Sequence, residues 1–410
     1  MKRLFELAVI GGGPAGMMAA IAAGKKVCLI EKNQALGQKF LLTGKGRCNL
    51  TNIKEIPEFI DQFGQKGRFL YSALTKFSNQ DLISFLSNRG IKTKVERGGR
   101  VFPENDQAGT ILNCLKQELA RKKVTIVYNF SVKKLTSQTN LFKISSQDKE
   151  VVLAKKVVLA TGGKSYPATG STGDGYFLAK KLGHKIAPLQ PALAALIVRN
   201  PEIRSLAGLS LKNVQLNISA EQTKLVSFFG EMLFTHQGIS GPIVLKSSKQ
   251  VFQAIKQGKQ IVAAIDLKPA LNEKILKQRI YREIKKAPKK EYQSLLKTLL
   301  PKLLINLAIE KTAIEQHRKN GSLTKQEVLR LRQFLKSFSF EIHQVAPIET
   351  AIVTSGGVDV SQIDSRTMES KLVPGLFFAG EIIALDGPTG GFNLQKAFST
   401  GYLAGQSAKI

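Results

Sequence analysis

The sequence predicts an α/β protein whose main domain is discontinuous and carries an inserted β-barrel with a helical subdomain. Three observations predict it. The N-terminus reads as strand, glycine-rich turn, helix and acid-tipped strand. Residues 375–405 return to the same strand, glycine-loop, helix style. Between about 190 and 340 the pattern changes to short β-like runs and then to basic helical segments.

Phe5–Ile10 ("FELAVI") is a short apolar run consistent with a buried strand. Gly11, Gly13 and Gly16 follow as G-x-G-x-x-G, with Pro14 and Ala15 inside the motif, and "MMAAIAA" continues as a small-residue helix. "KVCLIEK" is the second strand, ending on Glu31 and Lys32. Only 15 positions separate Gly16 from Glu31, against about 20 in the general description, so the helix is expected to be short. Residues 33–68 read as a polar, glycine-rich excursion and 69–90 as helical. "KTKVERGGRVFP" predicts a hairpin around Gly98–Gly99. An amphipathic helix follows, then a meander of strands ending in "KVVLATGG". From 270 to 340 the chain reads as helical, with Thr324 and Glu327 spaced as a capping box. The expected division is 1–190, an insertion over 191–340, and a return over 341–410.

The formal net charge is +31, and residues 267–340 hold 18 Lys+Arg against 6 Asp+Glu. Charge of this size suits an anionic partner such as nucleic acid. The basic residues are dispersed, which favours a solvated surface, so a nucleic-acid partner is admitted but not favoured. The three cysteines form no C-x-x-C, which fits a reducing, cytoplasmic setting and argues against dithiol flavin reductases. No metal site is predicted. The N-terminus has the basic start and apolar run of a signal peptide, but the glycine spacing is better explained by strand, turn and helix. No apolar stretch has the length of a membrane span.

The chemistry follows from the glycine turn. Gly11 permits a tight turn, Gly13 allows close approach of a pyrophosphate, and Gly16 allows close packing of helix on strand. The helix N-terminus offers free N–H groups and partial positive charge to phosphates. A carboxylate at Glu31 suits ribose hydroxyls and disfavours a 2′-phosphate. Two further segments point to FAD rather than NAD in this Rossmann-like domain. "VVLATGG" brings Thr161 and Gly162 to a second glycine turn. "GLFFAGE" ends a strand on Gly380 and Glu381. The loop "GPTGGFNLQ" and the helix "KAFSTGYLAG" follow, and Gly391, Phe392, Asn393 and Leu394 of that loop offer backbone N–H groups to the flavin edge.

The stretch "TGKGRCNLTN" (43–52) could be a phosphate cradle, a reactive thiol site or a surface turn. It lacks the spacing of a P-loop. A thiol packed beside the cofactor is the expectation for Cys48.

On these motifs, with "GRVFPEN", "GEMLFTHQGISGP", "TSGGV" and "DGPTGGFNLQKAFSTG", the chain resembles the BaiN/YhiN-type bacterial flavoproteins, also labelled aminoacetone-oxidase-like. The resemblance covers nearly the whole chain. It implies a glutathione-reductase-type FAD domain with an inserted β-barrel and helices, and no second nicotinamide domain. It places Ala15 at the FAD pyrophosphate and Glu31 at the ribose. Gly46, Arg47, Cys48 and Asn49 would lie along the cofactor, Val132 at the adenine, and Gly380, Glu381 and 391–394 at the ribityl and ring. One departure stands out: Ala384 replaces a carboxylate common in the family's G-E-x-x-D-x-D-G run, leaving Asp386.

Flavin chemistry needs few protein acids. His236, in a glycine-rich loop, is the first general-acid candidate. Tyr166 and Ser165 are next for polarising a carbonyl, Arg100 for a substrate carboxylate, and Asp174 reads equally as a turn residue. The function expected is hydride transfer between FAD and a small organic substrate, with NADH or NADPH as a transient donor. The alternatives are an O₂-using flavin amine oxidase and an FAD protein acting on tRNA.

Overall fold

The computed structural model describes residues 4–138 and 141–409; the basic start Met1–Arg3 lies outside the described residues. The chain divides into two compact units, Met1–Ala192 with Ile348–Ile410, and Leu193–Pro347.

In the first unit, β1 (Leu4–Ile10) runs parallel to β2 (Val27–Ile30) on one side and to Val151–Leu159 on the other. Ala8, Val9, Cys28 and Leu29 are wholly buried, as expected for a parallel sheet covered on both faces. Thr125–Val127 extends the sheet beyond β2. Strand Val151–Leu159 serves two partners along one edge. Its first half pairs antiparallel with Leu141–Ser146, and its second half pairs parallel with Leu376–Phe378. The C-terminal return therefore completes the N-terminal sheet.

The helix α1 (Pro14–Ala23) is apolar on every side and almost entirely buried, the pattern of a helix enclosed on all faces. Its outer neighbour is the C-terminal helix Phe392–Ser407. Small residues let the backbones touch: a Cβ at Gly401 would lie 2.2 Å from the Ala15 carbonyl oxygen, and one at Gly405 would lie 2.2 Å from that of Ala19. In each helix the two residues are four positions apart, about one turn.

Two expectations change in detail. The excursion over 33–68 contains short helices at Gln38–Leu41 and Ile56–Asp61 and a strand at Thr51–Asn52. That strand pairs with Arg100–Pro103 of the predicted hairpin. The helical stretch over 69–90 is broken, because Ser78 caps a new helix at Asn79 in a capping box with Asp81.

In the second unit, strands Phe338–Ile342, Ile261–Asp266, Ser210–Ala220, Thr223–Thr235, Gly238–Ser240, Leu196–Ile197 and Gln344–Val345 form one sheet in that order. Its first and last members belong to a single run, 338–345, interrupted only at His343. One run thus pairs with Ile261–Asp266 at one end and Leu196–Ile197 at the other, which closes the sheet into a barrel. The unit also holds helices at Glu273–Lys286, Tyr292–Leu299, Ile305–Thr312 and Lys325–Lys336. Thr324 and Glu327 form the capping box read from their spacing. Among the described residues, no helix is long and apolar enough to cross a membrane.

Candidate functional site

The site begins at the turn after β1. The Gly11 N–H donates to the Ile30 carbonyl at 2.8 Å, tying the turn to β2. At Gly16 only glycine fits, since a Cβ would lie 1.8 Å from the Gly11 oxygen. Gly13 faces open space, with no atom within 4 Å of a built Cβ. It is also the N-cap of α1, with Pro14 in the first turn and no side chain capping the helix. The first-turn N–H groups are thus presented toward that space. Glu31 is buried beside the turn: one carboxylate oxygen accepts from the Gly12 N–H at 2.8 Å and the other from the Asn33 N–H at 2.9 Å. Lys32 pairs with Asp174 at 2.7 Å, so Asp174 anchors the end of β2. Val132 opens the strand Val132–Gln138 and is buried.

Residues 43–52 form the second wall. Gly44, Lys45 and Gly46 have successive φ of +58°, +59° and +86°, and Cys48 has +62°. A left-handed turn of this kind is costly for lysine and cysteine and is held by the surrounding structure. The Cys48 N–H donates to the Thr43 carbonyl at 2.9 Å. Burial pushes the Cys48 thiol up to about 12, with Thr43 pulling the other way. At neutral pH it is a packed thiol and not a thiolate. Asn49 Oδ1 and Thr51 Oγ1 are buried without a hydrogen-bond partner. Arg47 turns to the hairpin: its guanidinium bonds Asp106 at 2.9 Å through Nε, pairs with Glu96, and lies 4.3 Å from the Phe102 ring centre. Arg100 joins the same network through Glu96 at 3.6 Å.

The third wall joins segments far apart in sequence. The loop 43–52 rests on the C-terminal loop: a Cβ at Gly391 would lie 2.3 Å from the Thr51 oxygen, and the Asn52 side chain donates to the Gly390 carbonyl at 3.2 Å. Gly391, at φ +96°, is the N-cap of the C-terminal helix, which has no side-chain cap. The sequence reads as helix only from Lys396, but the helix starts at Phe392. The earlier start puts the N–H groups of Phe392, Asn393 and Leu394 in the first turn, where they are free of intrahelical partners. Glu381 accepts from the Thr354 N–H at 2.8 Å and pairs with Lys39 at 2.9 Å. The Thr354 hydroxyl oxygen accepts from the Lys164 N–H at 2.8 Å and bonds Ser165 at 2.9 Å. The Gly380 N–H donates to the Thr400 hydroxyl at 3.0 Å. Tyr166 is half-buried with φ +56°, and the Lys39 ammonium lies 6.0 Å from its ring centre. The Thr161 hydroxyl, next to Gly162, and the Tyr176 hydroxyl are buried without partners.

The structure therefore gathers Gly11–Gly16 with Glu31, the loop carrying Gly46, Cys48 and Asn49 with Gly391–Leu394, and Thr161–Tyr166 with Gly380 and Glu381. His236 belongs to the second unit, where it is exposed at the two-residue tip between strands Thr223–Thr235 and Gly238–Ser240. The sequence reading assigns no role to Lys39, Thr354, Tyr176 or Lys396. Thr354 carries a signal in its "TSGG" context; Lys39 carries none, because its partner is 342 positions away.

These residues fit FAD. Two uncapped helix N-termini suit a pyrophosphate and an electron-rich ring edge. Carboxylates at Glu31 and Glu381 suit sugar and ribityl hydroxyls. The orphaned Asn49, Thr51 and Thr161 oxygens supply further hydrogen-bonding positions that the protein itself leaves unmet.

Similarity to known proteins agrees with this geometry. The model of the HI0933-like protein Rossmann domain matches residues 5–407. A 3-dehydro-bile acid delta(4,6)-reductase of Clostridium scindens is 33% identical over 408 residues, covering 98% of both chains. A ribosomal RNA dihydrouridine synthase of Haemophilus influenzae is 32% identical over 415 residues, again 98% of both. One of the same name from Escherichia coli is 31% identical over 409 residues, 98% of this chain and 97% of that one. Among solved structures, the fold is similar to a 3-ketosteroid-delta4-(5alpha)-dehydrogenase of Rhodococcus jostii, with TM-score 0.52 and 15% identity over 99% of this chain and 96% of that one. With the glycine turn, the acid-tipped strand and the completed sheet on one frame, the chain belongs to the HI0933-like Rossmann-domain family and is an FAD-dependent oxidoreductase.

Proposed function

We propose that the protein is a flavin-dependent reductase acting on a carbon–carbon double bond conjugated to a carbonyl, and that its acceptor is a uridine in structured RNA. The chemistry rests on what the relatives' names share. One is named for a delta(4,6) reduction on a 3-dehydro bile acid and two for making dihydrouridine. In both substrates the reduced alkene is conjugated to a carbonyl. The observation that carries the choice of RNA is the name that two of these relatives share, ribosomal RNA dihydrouridine synthase, and the net charge of +31, with 18 basic against 6 acidic residues over 267–340, suits such a partner.

FAD supplies hydride at the β-carbon of the enone when bound, and the protein must deliver a proton to the α-carbon. Tyr166 is the candidate donor, since its ring lies 6.0 Å from the Lys39 ammonium and its segment is bonded to Thr354, which in turn bonds Glu381. The cofactor-binding roles fall to the three walls: the glycine turn with Glu31, the loop 43–52, and Thr161–Gly162 with Gly380, Glu381 and Gly391–Leu394. Arg100, which is solvent-accessible, is a candidate for a contact to the substrate's phosphates. NADH or NADPH would act as a transient donor stacked on the flavin, since the chain has no second G-x-G-x-x-G.

The test is an anaerobic incubation of FAD-loaded protein with NADH or NADPH and ribosomal RNA from a strain lacking the gene. Mass spectrometry of the digested RNA is expected to show new dihydrouridine. Unchanged RNA, with a 3-oxo-Δ4,6 steroid reduced under the same conditions, would overturn the RNA assignment and keep the enone chemistry. Hydrogen peroxide formed from simple amines, with neither alkene reduced, would overturn both.

A further inference from the structure

One charged side chain in this region is fully enclosed. Lys396, in the second turn of the C-terminal helix, is 1% exposed. Its ammonium donates to the Leu385 carbonyl at 2.5 Å, the single hydrogen bond it makes among the described residues. An ammonium has three donors, so two have no acceptor among the described residues. Burying a charge this way is strongly unfavourable unless other charges compensate, and methionine would fill the same volume without the cost.

The compensation comes from the surrounding loop. Glu381 and Asp386 both favour the charged form of Lys396, and Lys39 opposes it. Glu381 sits on the turn Gly380–Ile382, Asp386 five residues further on, and Lys39 on the helix Gln38–Leu41. Both carboxylates are already engaged: Glu381 with Lys39 and the Thr354 N–H, Asp386 with the Ser355 hydroxyl at 2.6 Å. With Lys396 charged, the four groups sum to zero. With Lys396 neutral, they carry one negative charge. Asp386 lies in the loop 384–391 that leads into the helix N-terminus at Gly391, Lys396 bonds the Leu385 carbonyl of that loop, and Glu381 precedes it with Lys39 as its partner.

We propose that Lys396 is a positioning residue: a buried cation that ties the loop 384–391 to the C-terminal helix and cancels the remaining carboxylate charge of Glu381 and Asp386, so that the bound flavin takes on negative charge beside a neutral cluster instead of a negative one. It does not touch the reacting atoms. It holds the Leu385 carbonyl, and through it the loop that precedes the helix N-terminus. The inference is independent of the RNA substrate and holds for any hydride acceptor. Burial pushes the ammonium down to about 8, with Glu381 and Asp386 pulling it up and Lys39 adding to the depression. Below that pH the cation is present. Above it the amine is neutral, and each reduction of the site draws one further proton from solvent to restore the charge.

The experiment uses full-length, FAD-loaded protein and two readouts other than turnover. One is the flavin midpoint potential from about pH 6 to about pH 10. The other is the affinity for sulfite, which adds to flavins more readily in a positive field. Wild type is expected to show a break in the potential-against-pH plot near pH 8. Lys396→Met is expected to have a lower potential at neutral pH, no break, and sulfite affinity weakened roughly tenfold. Lys396→Gln, which keeps a donor to Leu385 but no charge, is expected to retain FAD and still lose the break. Should Lys396→Met fail to fold, Lys396→Gln decides alone. A Lys396→Gln protein with wild-type potential and sulfite affinity at neutral pH would overturn the proposal.

Discussion

The Cys48 thiol is buried and pushed up to about 12, and Cys28 and Cys114 are buried as well. The native protein is therefore expected to show no fast-reacting thiol toward Ellman's reagent at mildly alkaline pH, and all three after denaturation. A rapid native reaction lost in Cys48→Ser would restore the reactive-thiol reading. His184 gives the converse case of a titrating group. It is buried, bonds Ser370 at 2.7 Å and the Ala179 carbonyl at 3.2 Å, and burial holds it below the usual histidine range. The neutral form is favoured in the folded state, so its contribution is complete above the unfolded value of about 6.5 and is lost as pH falls through the folded value. Thermal unfolding from about pH 7.5 down to about pH 5 should show an acid loss of stability that is smaller in His184→Gln. Glu31 is legible in the sequence because an acid at the tip of a strand beside a glycine turn is a local pattern. Lys39 and Lys396 are not legible. Lys39 takes its meaning from Glu381, which only the fold brings near it, and Lys396 from the Leu385 carbonyl, which only the path of the loop sets against it.

Elements are legible where periodicity or capping is local, as for α1, the 93–103 hairpin and the Thr324 cap. Boundaries next to glycine-rich loops are less so. "GGFNLQ" reads as loop because two glycines precede it, yet the helix begins at Phe392, since Gly391 in the left-handed region is itself the cap. The 43–46 turn shows the same limit: no hydrophobic period announces a left-handed run. The crossing of α1 with the C-terminal helix gives a test of element packing. In Gly401→Ala the new Cβ would meet the Ala15 backbone at 2.2 Å, and backbone cannot rotate aside. The expected cost is about 1–3 kcal/mol of stability, read by denaturant unfolding. Because Ala15 lies in the first turn of α1, FAD affinity should fall with it. A change at an exposed position, such as Lys325→Ala, should leave both unchanged.

At the scale of the whole molecule, the return of the chain to its first sheet has a sequence signature. The C-terminal segment repeats the style of the N-terminal one, and strand Leu376–Phe378 pairs with the part of Val151–Leu159 that Leu141–Ser146 leaves free. Barrel closure is harder to read, since it depends on one run, 338–345, serving two distant strands. The net charge is visible in the composition, but its arrangement is not. Helix Glu273–Lys286 buries Leu276, Ile280 and Ile284, while Lys274 and Lys285 are exposed on the opposite side and Lys277 at the flank of the buried stripe, and none of the three carries an ion pair among the described residues. From Lys274 to Lys285 the helix rises about 16 Å, a length suited to successive backbone phosphates. If RNA is the substrate, replacing all three with glutamine should weaken RNA binding and flatten its salt dependence, by about 0.7–0.9 in slope for each phosphate no longer neutralised. Reduction of the flavin by NADH or NADPH should be unaffected. The measurement is a filter-binding or polarisation titration of ribosomal RNA fragments across about 50–300 mM salt. An unchanged slope with RNA still reduced would move the RNA-binding surface to another basic face. No RNA binding by the wild-type protein above that of a neutral control protein would make the charge a solvated surface, and the enone acceptor a small molecule.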